Sequence, residues 1–179
     1  MVKATRSRAK GSGLERHVAL LRGINVGGKN KLPMVELVAL FEATGCERVS
    51  TFIQSGNVIF SAEPGLRPSL PAKLSHAIKQ AYGFDVPVVL RSARELDRVV
   101  EGNPFRAREA VERLHVVFLA DAPAPECVRA LDPSRSPPDQ FMVQGTEIYL
   151  LCPNGLGKSR LTNAYFDSKL KTVSTVRNW

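Results

Sequence analysis

The sequence is short of the residues that most enzyme chemistry needs. It holds three histidines, three cysteines and one tryptophan in 179 residues. Cys46, Cys127 and Cys152 are odd in number and widely spaced, and no CxxC pair occurs. Neither a dithiol redox motif nor a zinc knuckle is indicated, and a reducing, cytoplasmic setting fits. No apolar run approaches the roughly 20 residues that cross a bilayer, so a soluble protein without membrane contact is expected. The opening MVKATRSRAKGSGLER has no apolar core for a secretory signal. Its Arg and Ser content leaves a short transit peptide as the alternative to a disordered tail. No Ser–His–Asp set, GxSxG elbow or HExxH helix is present. His17 and His115 sit at equivalent strand starts, and His76 lies on a helix. The carboxylates fall mostly on helix faces and form no recognisable pair. Nothing calls for a metal or a cofactor, and no reaction is assigned.

What is present is positive charge, unevenly placed. The net charge is +8 and the pI about 9.8. Residues 1–16 carry +4, residues 17–31 carry +3 and residues 153–179 carry +4, while residues 32–152 carry −3. Away from the tail, the excess sits on two glycine-bearing segments in a slightly acidic body. That pattern suits a polyanionic or phosphorylated partner.

The apolar periodicity gives the order of elements. HVALL reads as a first strand. A helix is predicted from Pro33 to about Thr44, with Met34, Leu37, Val38 and Phe41 on one face and Gly45 as its stop. VSTFIQSGNVIFSA reads as a hairpin around a Gly-Asn turn. After EPGLRP, a helix from about Ser69 to Tyr82 and a strand DVPVVLR follow, with Pro87 suggesting a sheet edge. The order strand, helix, strand, strand, helix, strand is the ferredoxin-like pattern. Ser92 and Glu95 form a capping box for a bridging helix that ends at NPF, residues 103–105. The second half repeats the first weakly: HVVFL matches HVALL, and QGTEIYL resembles QSGNVIF. Its first helix is expected to be a stub. A last helix is expected from about Ser159 to Leu170, and STVRNW opens a last strand. The expected organisation is an α+β chain of two ferredoxin-like halves, the second degenerate. Residues 1–16 form a disordered basic tail, 17–91 the first half, 92–113 the bridge and 114–179 the second half.

Three motifs carry the functional expectation. RGINVGGKNK, residues 22–31, lies between a strand and a helix; its glycines free the backbone and expose N–H groups that attract anions. It matches neither GxGxxG nor GxxxxGK[ST], and it reads equally as a tight turn. QSGN, residues 54–57, is first a hairpin turn, but the topology brings it to the same sheet end. CPNGLGKSR, residues 152–160, resembles a phosphate loop but has Cys152 where glycine is required; Lys158 with Ser159 as N-cap is its candidate anion contact. In the terminal RNW, Arg177 is a further candidate, while the lone Trp179 reads more readily as core.

ALLRGINVGGKNKLPM, TFIQSGNVIFS, NPF, LHVVFL, YLLCPNGLGKSRLTN and STVRNW occur in the order found in the family called domain of unknown function 1697, which the chain resembles over about residues 17–179. The matching motif positions are Arg22, Gly23, Asn25, Gly27, Gly28, Gln54, Ser55, Gly56, Asn57, Arg177, Asn178 and Trp179. The resemblance implies a mostly bacterial, soluble α+β protein of two ferredoxin-like subdomains, with no established activity to carry over. It also implies a last strand cut short after RNW.

The resulting expectation is a site for a small anionic ligand, a nucleotide or phosphorylated metabolite. Its residues are Arg22, Gly23, Asn25, Gly27, Gly28, Lys29, Gln54, Ser55, Asn57, Lys158 and Arg177. The competing expectation is a nucleic-acid-binding module using the basic tail and the sheet aromatics Phe52, Phe60, Phe118, Phe141 and Tyr149. The oligomeric state is left open.

Overall fold

The structure, a computed structural model, describes residues 13–106 and 110–179. The expected tail over residues 1–16 lies outside the described residues as far as residue 12; Glu15 and Arg16 belong to the first strand. The fold is mixed α+β, with two four-stranded antiparallel sheets and five helices.

The first sheet contains β1 (Glu15–Leu21), β2 (Glu47–Phe52), β3 (Asn57–Ala62) and β4 (Val88–Ser92), in the order β2-β3-β1-β4. Helices α1 (Met34–Ala43) and α2 (Leu70–Tyr82) cover one of its faces. Gly83 closes α2 in the left-handed conformation, which glycine adopts without steric cost. β4 is an edge strand, as Pro87 suggests, and begins just after that residue. The second sheet contains β5 (Leu114–Leu119), β6 (Gln140–Gln144), β7 (Glu147–Leu151) and β8 (Ser174–Asn178), in the corresponding order β6-β7-β5-β8. α4 (Pro125–Arg129) is the expected stub, and α5 (Asn163–Leu170) packs against the same sheet.

α5 corrects the predicted start at Ser159. Residues Leu156–Lys158 form a 3-10 turn, Ser159 is extended after it, and the helix is capped by Thr162, whose hydroxyl accepts from the Tyr165 N–H. Arg160 N–H goes to Ser136 Oγ, and Leu161 is buried in the core. Anchoring that segment to the protein delays the helix by about one turn.

The strand side chains alternate between two cores. In β1, Ala19 and Leu21 pack under α1 and α2, while Val18 and Leu20 turn the other way. In β5, Val117 and Leu119 join the second helix-covered core, and Leu114, Val116 and Phe118 turn away from it. These outward sets meet in a third core with Val89, Tyr149, Leu151 and, from α3 (Ala93–Gly102), Val99. The two sheets therefore pack together through the faces their own helices leave uncovered. Central strands buried on both faces read as continuous apolar runs, and HVVFL is one.

One charge lies inside this seam. Arg91, in β4, is 4% exposed. Its Nε donates to Glu147 Oε1 at 2.8 Å, and its Nη2 to Leu119 O and Thr146 O at 2.8 and 3.0 Å. The guanidinium also stands 5.4 Å from the centroid of the Phe118 ring. A buried ion needs this full set of partners, because the low-dielectric interior otherwise penalises it.

The capping box at the head of α3 is formed as the sequence predicts, and it is extended by Arg67. Ser92 N–H donates to Glu95 Oε2 at 2.6 Å, and Glu95 N–H donates to Ser92 Oγ. Arg67 Nη2 lies 2.8 and 2.6 Å from the two carboxylate oxygens of Glu95. Burial alone would raise this carboxyl, but the bonds from Arg67 and Ser92 outweigh it and hold it at about 2.

Two predictions follow from these ion pairs. Removing one partner of the buried pair, with Arg91→Ala, is expected to cost about 3–5 kcal/mol in urea denaturation, and Arg91→Met with Glu147→Leu to recover part of that loss. The Glu95 carboxyl is lower in the folded chain than its ordinary 4.5. Its contribution is thus present above about pH 4.5 and lost as the pH falls toward 2. Up to about 3 kcal/mol should disappear over that window, and Glu95→Gln should flatten the dependence.

Candidate functional site

The end of the first sheet carries the glycine-rich segment. Residues 25–30 fold back as a small hairpin: Asn25 N–H donates to Asn30 O, and Lys29 N–H to Val26 O, both at 3.1 Å. Gly27 and Gly28 occupy its two central positions with φ of 59° and 75°. A two-residue turn of this hand needs positive φ at both positions, so turn geometry alone favours glycine there. A Cβ at either glycine would meet nothing within 4 Å, so neither is needed for close packing inside the protein.

The hairpin and the QSGN turn are joined. Asn25 Nδ2 donates to Leu32 O and to Gln54 O, while its Oδ1 accepts from Leu32 N–H. Leu21 N–H donates to Gly56 O at 2.8 Å. Gly56 is the glycine that close approach demands. Its φ is 81°, and a Cβ there would lie 2.8 Å from Leu21 O.

Two arginines cross the seam in opposite directions from this point. Arg22, at the end of β1, sends Nη1 to Asp167 Oδ2 at 2.6 Å and to Ser174 O at 2.7 Å in the second half. Ser174 Oγ in turn donates to Asp167 Oδ1. Arg177, in β8, sends Nε to Asn57 Oδ1 and Nη2 to Leu21 O, both at 2.8 Å, and Nη1 to Thr175 Oγ1. Burial lowers the Arg177 guanidinium to about 10, which leaves it charged near neutrality.

The sequence-predicted residues thus divide. Arg22, Gly23, Asn25, Gln54, Ser55, Asn57 and Arg177 are brought to one region by these bonds, with Asn30 Nδ2 holding Gly23 O and Asn57 Nδ2 holding Ser55 Oγ. Within it, Arg22, Asn25, Asn57 and Arg177 direct polar atoms to other parts of the protein. Gly27, Gly28, Lys29 and Gln54 form an exposed tip. Lys158 stands apart from this group. Its loop is fixed where Cys152 N–H donates to Arg113 O, before β5, whereas Arg22 reaches Ser174, which pairs with Leu119 at the other end of β5. Those anchor points are six strand residues apart, about 20 Å at roughly 3.3 Å per residue. Nor does Lys158 sit over a helix N-terminus, since α5 begins later.

The sheet surface expected for nucleic acid is occupied. Phe60 is buried in the first core, Phe118 and Tyr149 in the third, and Phe141 packs edge-on against Phe166. Of the five sheet aromatics only Phe52 is exposed, at 63%, beside exposed Ile53. Base stacking on an open sheet face needs exposed rings, and this surface supplies one.

Of the cysteines, two face inward and Cys127 is half-buried, while His76 is exposed on α2. Cys46 and Cys152 are buried, and burial pushes the Cys152 thiol up to about 11. Among the described residues no group of His, Cys, Asp and Glu could together hold a metal ion. No described helix is long and apolar enough to cross a membrane. Sequence reasoning missed Arg91, Glu147 and Asp167. The signals were an arginine closing an apolar strand, and the only acid in an otherwise basic final segment.

The fold and the seam define an α+β protein of two antiparallel sheets locked by exchanged side chains. The chain belongs to the family described as protein of unknown function (DUF1697), which matches residues 14–149. Among solved structures it is similar to a conserved bacterial protein from Streptococcus pneumoniae, with 25% identity and a TM-score of 0.69 over 92% of each chain. No curated protein matches it.

The two kinds of glycine should separate on substitution. Gly28→Ala meets only the backbone penalty, about 1–2 kcal/mol. Gly56→Ala adds overpacking against Leu21 and should cost about 2–5 kcal/mol in total. Thermal or urea unfolding of the two variants checks the order.

Proposed function

We propose that the protein binds a small anionic ligand, a nucleotide or phosphorylated metabolite, at the exposed tip formed by the Gly-rich hairpin and the QSGN turn. The observation that carries the reading is the division of labour at that sheet end. Arg22 and Arg177 fix the two turns in place, and Lys29 and Lys31 are left exposed without an ion pair among the described residues. Gly27 and Gly28 offer backbone N–H groups beside those cations, an arrangement that favours anions. Gln54 supplies an orienting amide, and Phe52 and Ile53 offer an apolar shoulder for a base or similar group. Ile53 has φ of 51°, an outlier for a β-branched residue, and such strain collects at functional segments. Arg22, Asn25, Asn57 and Arg177 act in this reading as positioning residues.

We read the fold as two copies of one ferredoxin-like unit, over residues 17–91 and 114–179, bridged by 92–113. The shared strand order supports this.

Titration with adenosine triphosphate, followed by amide NMR spectra, tests the site. The Gly27, Gly28 and Gln54 resonances should move, and Lys29→Ala with Lys31→Ala should weaken binding at least about tenfold, the loss expected from even one charge-assisted contact. Still resonances at those three residues, with millimolar ligand present, would rule the tip out.

A further inference from the structure

A trough of about 440 Å³ opens where the start of β1 meets the head of α3. Arg16, Arg67, Arg94 and Arg98 line it, with Glu15 and Glu95. Glu95 is engaged by Arg67 and by the capping box. Arg16, Arg94 and Arg98 are exposed and make no ion pair among the described residues. Arg94 and Arg98 are four residues apart on α3, a spacing at which like charges weaken a helix. Three guanidinium groups without an ion pair of their own around one concavity suit an external anion.

An unsatisfied histidine lies behind the trough wall, with its ring against Phe60. His17 is fully buried, and neither ring nitrogen has a hydrogen-bond partner. It lies directly across the β1–β4 pairing from Ser92, which lines the trough, and its Nε2 is 3.9 Å from Oε2 of Glu15, another wall. Burial keeps the ring toward its neutral form, which carries one N–H donor with nothing to receive it. A polar group buried without a partner is costly, and this one sits in the wall that Glu15 and Ser92 present to the trough.

A second hollow of about 320 Å³ shares the walls Glu95 and Arg98 and is lined further by Val99, Gln144 and Tyr149. Each hollow alone is within the usual range of small-molecule sites. Glu15 lines the first hollow and Glu147 the second, so the cations are bracketed by carboxylates. That favours a compact anion over a polymer running through.

We propose that this trough is a second anion site, distinct from the glycine-rich tip, which takes the phosphoryl or pyrophosphoryl group of a small molecule. Arg16, Arg94 and Arg98 hold the anion, and the Arg67–Glu95 pair braces the head of α3. The body of the ligand lies toward Val99 and Gln144.

Calorimetric titration of the full chain with inorganic pyrophosphate tests this. Arg94→Gln with Arg98→Gln, exposed changes that should leave the circular dichroism and melting temperature unaltered, is expected to weaken binding about fivefold or more. Should that variant fold poorly, Arg16→Gln, on a different element, is held to the same threshold. The tip variant, Lys29→Ala with Lys31→Ala, should stay within that fivefold limit. No heat of binding with the intact chain overturns the site, as does a smaller loss in the arginine variant or an equal loss in the tip variant. Since the tip is read from its own amide resonances, either site can fail while the other stands.

Discussion

The structure depends on the guanidinium of Arg177. It comes from the last strand and reaches the first half, where Asn57 Oδ1 and Leu21 O both accept from it at 2.8 Å. Leu21 is also the residue whose N–H meets Gly56 O. One side chain near the C-terminus therefore fixes the end of β1, the start of β3 and the turn between β2 and β3. Arg22 returns the contact by gripping Asp167 and Ser174. Each half closes the other's loops, and a planar fork with several donors suits that task better than a lysine would.

The reciprocal grip follows from how the sheets are covered. Each has helices on one face only, and the uncovered faces carry Val18, Leu20 and Val89 on one side and Leu114, Val116, Phe118, Tyr149 and Leu151 on the other. Apart, these faces would expose a continuous apolar surface; together they form the third core. Apolar packing is not directional, so it brings the sheets together without fixing their register. Arg91 supplies register at the buried end of the seam, since its donors are met only where Glu147, Leu119 and Thr146 coincide. Arg22 and Arg177 do the same at the rim.

This arrangement changes how the motifs are understood. The blocks that carry the family resemblance, RGINVGG, QSGNV and RNW, are joined by hydrogen bonds in three dimensions. Much of what they do is structural: Gly56 permits close approach, Asn25 ties two loops, and Arg22 and Arg177 span the seam. Among the described cations that make no ion pair, two groups stand together. Lys29 and Lys31 stand on an exposed hairpin, and Arg16, Arg94 and Arg98 surround a concavity beside an unsatisfied histidine.

Local pattern made most elements legible. The 3.6-residue periodicity marked α1 and α2, Ser92 with Glu95 marked the head of α3, and the Gly-Asn turn marked the β2–β3 hairpin. These signals lie within a few residues of each other, so short-range chemistry encodes them. The start of α5 was misread because Ser159 has the chemistry of a cap, while the contact of Arg160 with Ser136 that displaces it is 24 residues away in the chain. Topology was enough to place the two turns of the first half together. It could not show that Arg22 would be taken by Asp167, 145 residues on, or that Lys158 would hang from the far end of β5. Nor could it show that Arg16, Arg67, Arg94 and Arg98 would share one trough. By itself the sequence determined its helices, strands and turns, and the sheet end at which two of its motifs meet. Which cations are engaged inside the fold and which stay exposed was decided by the packing of the two sheets, because a charge's partner is set by distance in space and not by distance along the chain.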